Sequence, residues 1–175
     1  NDRLSFHFSA ATSFNTSGDA YSLNEDNENI PPEQSINVEL GGRWESAGGN
    51  FTTRAAVFRS TKLHERNTDP LVDLVTLSGK RHVAGFELDL TGRLLPGWEV
   101  YGSYMWLPAA RIDEGVPGAE GEGSRPSLTP RHSGTIWTTY QLTPQLRLGG
   151  GLNARSSQTP LRNPVGVEIS KFITA

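Results

Sequence analysis

Glu87 and Asp89 are two carboxylates with one residue between them. On an extended strand both would leave the same face, about 7 Å apart, a placement that can serve general acid–base chemistry. The same rhythm recurs through the chain, however, at Glu39, Arg43, Glu45, Arg54, Arg93, Glu99, Arg147 and Arg155. Charges of both signs repeated along strand faces describe a wet surface rather than one catalytic pair. The four histidines, His7, His64, His82 and His132, have no metal-ligand spacing, and no Ser-His-Asp arrangement stands out. With no cysteine there is no thiolate, disulfide or cysteine nucleophile. The run Asn24–Asn29 offers oxygen ligands to calcium but lacks the glycine and terminal glutamate of an EF-hand loop. Gly149-Gly150-Gly151 opens no helix, so it is not a phosphate loop; it relieves crowding or bends a strand. No catalytic residue, metal or cofactor is expected, and a net charge of −3 gives no reason to expect a nucleic-acid partner.

A different kind of site is suggested by cations. Lys62, His64 and Arg66 approach one long connector from its N-terminal side, and Lys80, Arg81 and His82 approach it from the other. Grouped at one rim, Lys62, His64, Arg66, Lys80 and Arg81 would attract an anionic ligand such as a ferric chelate. The alternatives are contact with lipopolysaccharide or plain solvation.

These residues need elements to position them. The sequence reads as strands at about Arg3–Phe14, Ser35–Glu45, Phe51–Thr61, Leu74–Leu94, Trp98–Leu107, His132–Leu142 and Leu146–Arg155, with an eighth beginning at Phe172. The second is the clearest: Ile36, Val38, Leu40, Gly42 and Trp44 alternate with Asn37, Glu39, Gly41, Arg43 and Glu45. Nineteen glycines and eleven prolines suit many turns and little helix. The connectors alternate in length. Ser46–Asn50, Leu95–Gly97 and Thr143–Gln145 are short; Asn15–Gln34, Lys62–Asp73, Ala109–Pro130 and Ser156–Lys171 are long. In an up-and-down antiparallel meander, connectors of one parity share one side of the sheet. Tight turns on one side and long polar loops on the other are the asymmetry of a transmembrane β-barrel. No apolar run approaches the ~20 residues of a membrane helix, and alternating strands do not need one. Ile36, Val38, Leu40, Phe86, Leu88, Leu90, Leu146 and Leu148 should then share a lipid face, and Glu39, Arg43, Glu87, Asp89, Arg93 and Arg147 a lumen face. Trp44, Trp98, Tyr104, Trp106, Trp137 and Tyr140 lie near strand ends, where aromatic girdles meet the membrane–water interface.

Several stretches carry a resemblance. They are Glu39–Glu45 (ELGGRWE), Phe51–Arg59 (FTTRAAVFR), Ser78–Arg93 (SGKRHVAGFELDLTGR), Gly97–Tyr104 (GWEVYGSY), Thr129–Pro144 (TPRHSGTIWTTYQLTP) and Leu146–Asn153 (LRLGGGLN). In this order and spacing the chain resembles the C-terminal barrel region of TonB-dependent siderophore receptors, the catecholate-type branch especially. The resemblance implies an all-β fold, a 22-stranded outer-membrane barrel closed around an N-terminal plug preceded by a TonB box. It implies uptake of a ferric siderophore across the bacterial outer membrane, with the ligand at the outer loops, TonB at the periplasmic side, and outer-membrane lipid and lipopolysaccharide around the barrel. Residues 1–175 match barrel only, so the expectation is a barrel fragment of about seven or eight strands without plug or signal peptide. Two other functions fit the strand pattern: a TonB-dependent receptor for another ligand such as cobalamin or a glycan, and a small structural or adhesive membrane barrel. A soluble β-sandwich is disfavoured by the charge-lined face and the sorted loops.

Overall fold

The computed structural model describes residues 3–15, 31–69, 74–115, 121–160 and 167–175, with the backbone alone at 66–69 and 74–78. Its strands are β1 (Leu4–Asn15), β2 (Glu33–Glu45), β3 (Phe51–Asp69), β4 (Leu74–Leu95), β5 (Trp98–Glu114), β6 (His132–Thr143), β7 (Leu146–Arg155) and β8 (Phe172–Thr174). They form one eight-stranded sheet in sequence order, β1 to β8, every neighbouring pair antiparallel. The short connections between β2 and β3, β4 and β5, and β6 and β7 leave no room for a parallel crossover, which needs a dozen or more residues.

Two strands are longer than alternation suggests. β3 continues through the stretch read as a long connector, to Asp69, and β5 continues past Leu107 to Glu114. Lys62–Asp69 of the expected long connector Lys62–Asp73 is therefore strand, and so is Ala109–Glu114. The reason is chemical. Beyond Thr61 and Leu107 the residues lose the apolar/polar alternation that marks one wet and one dry face, while the backbone goes on pairing with β4. Smaller changes of one or two residues at the ends of β1, β2, β4 and β6 are ordinary fraying of boundaries.

The register divides the side chains between two faces. One carries Phe6, Phe8, Val38, Leu40, Val57, Phe86, Leu88, Leu90, Tyr104, Ile136 and Leu148; the other carries His7, Glu39, Arg43, Arg54, Glu87, Asp89, Tyr101 and Thr135. Among the described residues only Ala56, Leu107 and Ile112 are buried apolar side chains, while Phe6, Phe8, Leu40, Val57 and Leu148 stand in the open. Among the described residues the sheet has no core of its own, and nothing covers its apolar face.

The short turns are built by specific backbone contacts. Gly92 has φ of 146°, and a Cβ there would sit 2.1 Å from the Asn50 carbonyl oxygen. That same carbonyl accepts the Arg93 amide at 2.6 Å. Only a residue without a Cβ lets β4 pass so close to the β2–β3 turn.

Candidate functional site: the charged face and the long-loop rim

Alternation and register bring Glu39, Arg43, Glu87, Asp89, Arg93 and Arg147 onto one face. Two clusters organise it. Near β1, His7 Nε2 and Glu39 Oε1 lie 2.7 Å apart, and Arg43 Nη2 donates to Glu45 at 2.7 Å. Toward the short turns, Glu99 draws in both Arg147, at 3.1 Å, and Arg93, at 3.8 Å, while Arg147 Nε donates to Gln141 at 2.8 Å. Glu87 and Asp89 are neighbours in this pattern, with Asp89 opposite Arg54 and Ser103. Partly exposed pairs of this kind contribute little to stability, about 0–1 kcal/mol each; their use is to hold a polar, hydrated surface.

Trp137 belongs to this face and not to the girdle expected of it. It stands opposite Tyr101 and Gly151. A Cβ on Gly151 would lie 2.6 Å from Trp137 Cε3, and one on Gly149 would lie 3.3 Å from its Cζ2. The two glycines leave the room into which the indole settles. Trp137, Tyr101, Arg93, Glu99 and Arg147 line a depression of about 510 Å³. The other five aromatics lie on the apolar face in two groups. Trp44, Trp98 and Tyr140 are by the short turns, and Tyr104 and Trp106 are by the long loops.

At the long-loop rim the cations are distributed more finely than a single cluster. An extra residue in β3, between the pairs Lys62–Arg81 and Glu65–Gly79, forms a bulge. His64 occupies it with φ of 54°, a conformation strained for a residue with a Cβ. The bulge returns Glu65 to the face of Lys62 and Arg81. Glu65 then accepts from Lys62 at 3.3 Å and from Arg81 Nε, while Lys62 also reaches Glu33 at 3.3 Å. His64 Nδ1 is buried without a hydrogen-bond partner. Lys80 precedes Arg81 on β4 and so leaves the sheet on the opposite side. The backbone of Arg66 is in β3; its side chain lies outside the described residues, as does the Asn24–Asn29 run. The structure thus joins Lys62 and Arg81 through Glu65 and separates Lys80 from them. Among the described residues no group of His, Asp and Glu could hold a metal ion.

Sequence reading missed Arg125. It lies in the β5–β6 connector, where Nη2 donates to the Leu107 carbonyl, and Nε and Nη1 are buried with no partner. Burial, and then the neighbouring Arg131, push its guanidinium below the usual arginine range. Arg131 donates to the Pro108 carbonyl at 3.4 Å. Between the pairs Phe86–Trp106 and Ala84–Ala109 β5 carries an extra residue; two guanidiniums capping its carbonyls there are invisible to periodicity, because a connector has none. The only sequence signal was the count of cations flanking Pro126 and Pro130.

Comparison with known proteins agrees with this architecture. The family described as TonB dependent receptor-like, beta-barrel matches residues 1–168. The chain is 36% identical over 140 residues to the probable TonB-dependent receptor BfrD of Bordetella pertussis, covering 78% of this chain and 18% of that protein. It is 30% identical over 139 residues to the probable TonB-dependent siderophore receptor PiuA of Acinetobacter baumannii, covering 74% and 18%. In three dimensions it superposes on the crystal structure of PiuA with a TM-score of 0.81 at 24% identity, and on that of the ferric-catecholate import receptor Fiu of Escherichia coli with 0.81 at 23%. In each case it spans 99% of this chain and 26% of the solved one. The chain therefore corresponds to about a fifth of the length of the curated relatives it matches.

Proposed function

This chain belongs to the TonB-dependent receptor β-barrel family, and from that membership we propose that it forms the strands of an outer-membrane receptor that takes up a ferric siderophore. On this reading residues 1–175 are one stretch of a 22-stranded barrel wall. The apolar face meets lipid, and the charged face of Glu39, Arg43, Glu87, Asp89, Arg93 and Arg147 lines the lumen around a plug. The long-loop rim is the extracellular side, and TonB acts from the side of the short turns. The observation that carries the proposal is the alignment along most of the chain with a relative described as a siderophore receptor. The uncovered apolar face supports the membrane setting, because alternating lipid-facing and lumen-facing residues are what a barrel strand requires. No bond is made or broken in such uptake. The protein's work is selective binding followed by a conformational change driven from outside the barrel.

The rim supports an anionic ligand. Arg125 and Arg131, with Lys62 and Arg81, put cationic side chains at one end of the sheet, where they would raise the local concentration of a negatively charged chelate. His64 sits among them on a strained bulge, the kind of backbone found where a side chain is re-aimed for contact.

The test is uptake by the full-length protein in a host stripped of its own ferric-siderophore receptors. Accumulation of radioactive iron from a ferric tris-catecholate complex is expected, and it should vanish when the host's TonB is deleted. TonB-dependent accumulation of cobalamin or a glycan in place of iron would reassign the ligand. Channel or adhesive activity independent of TonB would point instead to a structural barrel.

A further inference from the structure

The charged face is not uniform. One row across it runs Ser5, Arg43, Arg54 and Asp89 on β1 to β4, then Ser103, Thr135 and Asn153 on β5 to β7. The row toward the long loops runs His7, Gly41, Ala56 and Glu87, then Met105, Ser133 and Arg155. The row toward the short turns ends in Thr91, Tyr101, Trp137 and Gly151. In these rows acids and bases reach β4 and stop. On β5 to β7, from Glu99 and Arg147 at the short-turn end to Arg155 at the long-loop end, this face carries hydroxyls, an amide, a thioether, aromatic rings and glycines. That charge-free track is about 20 Å long and 10 Å wide at ordinary rise and strand spacing.

Both ends of the track are cationic. Arg155 is exposed at one end and makes no ion pair among the described residues. At the other, Arg93 and Arg147 share one carboxylate, Glu99, at 3.8 and 3.1 Å, which leaves one positive charge over. They stand around the depression of about 510 Å³ whose wall includes Trp137. The two sectors of the face hold what touches them differently. A domain filling the lumen makes ion pairs with β1 to β4, and losing one partner of such a pair leaves the other charge desolvated and uncompensated. Against the track its contacts are neutral, and water replaces them readily. A negative complex on the track meets no carboxylate to repel it and no guanidinium to trap it until it reaches an end. Transit requires binding favourable enough to enter and weak enough to leave.

We propose that the anionic ferric chelate crosses the lumen along the wall of β5 to β7, entering past Arg155 and leaving over the depression between Arg93 and Arg147, while the plug stays seated against β1 to β4. The inference rests on the reading of this face as the lumen of a ferric-siderophore receptor. It adds to that reading which part of the wall the cargo follows.

The experiment places a carboxylate on the track of the full-length receptor and uses a ferric tris-catecholate complex carrying radioactive iron as the probe. Binding to cells that lack TonB reports the outer site; accumulation in cells that have it reports the crossing. T135E should lower accumulation about tenfold at undiminished binding. T135Q, which fills similar space without charge, should lower it no more than about twofold. S5E, a carboxylate in the same row on β1, should leave accumulation at the wild-type level. Wild-type accumulation by T135E overturns the path. So do equal losses in T135E and T135Q, which would mean blocked space and not charge, and a loss in S5E as large as that in T135E. If T135E does not reach the outer membrane as heat-modifiable protein, N153D takes its place, adding a charge at the same shape, with a loss of about fivefold expected; wild-type accumulation by N153D overturns the path equally. Absence of TonB-dependent iron accumulation in the unmodified receptor is a different result: it overturns the siderophore reading on which the path depends.

Discussion

At the scale of single residues, glycines and rim charges give the sharpest expectations. A methyl group added at Gly150 would meet nothing within 4 Å, whereas on Gly151 it would lie 2.4 Å from the Ile136 carbonyl oxygen and 2.6 Å from Trp137. Gly151→Ala should therefore lower the unfolding free energy of the full-length receptor by about 1–3 kcal/mol, the usual range for overpacking. Gly150→Ala should leave it unchanged or slightly raised. Urea unfolding in detergent, followed by tryptophan fluorescence, compares the two; equal losses would mean that Trp137 does not rest on the glycines. At the rim, Glu65 neutralises two cations at once. Glu65→Gln should tighten binding of an anionic chelate at low ionic strength, and the double replacement of Lys62 and Arg81 by Gln should weaken it. Both effects should shrink in 1 M salt, where the screening length falls to about 3 Å. Titrations of the ligand at two salt concentrations read the difference. Salt-independent affinities in all three proteins would move the ligand site elsewhere.

At the scale of strands, facing determines tolerance. Leu88 and Asp89 are neighbours on β4 that leave opposite faces, Leu88 beside Ala55 and Tyr104, Asp89 beside Arg54 and Ser103. Leu88→Arg should cost roughly 2–4 kcal/mol if the residue lies near the bilayer midplane, and Asp89→Asn should cost far less. Reversible unfolding into lipid vesicles measures both, and similar losses would show the two faces to be assigned the wrong way round. The same alternation explains which strand ends were readable. Ser35–Glu45 has one dry face and one wet face, so its period of two is plain. Lys62–Asp69 and Ala109–Glu114 are polar or mixed on both sides, so a pattern rule takes them for loop. Only their hydrogen-bonded partner β4 makes them strand.

At the scale of the whole molecule, the decisive fact is that the described residues build no core. β1 pairs on one side only, and β8 pairs with β7 through three residues. Open edges leave unpaired backbone groups that hydrocarbon cannot satisfy, and no second layer of described residues lies over the apolar face. A polypeptide of these 175 residues alone should therefore aggregate or remain unfolded in detergent. Size-exclusion chromatography with a heat-modifiability gel checks this; a monodisperse, heat-modifiable species would show that the sheet can close or cover itself without further strands.

Alternation and loop parity determined on their own that the chain is an antiparallel meander with a charged and an apolar face, because both are local properties of an extended backbone. They also located most of the charged positions, which repeat every second residue. Tertiary structure alone decided the rest. The indole of Trp137 lies close against β7 because Gly149 and Gly151, on that adjacent strand, vacate space for it. Lys62 and Arg81 share Glu65 because a bulge at His64 shifts the register by one residue. Each of these depends on which residue stands opposite which, and pairing between strands tens of residues apart leaves no periodic trace in a single chain.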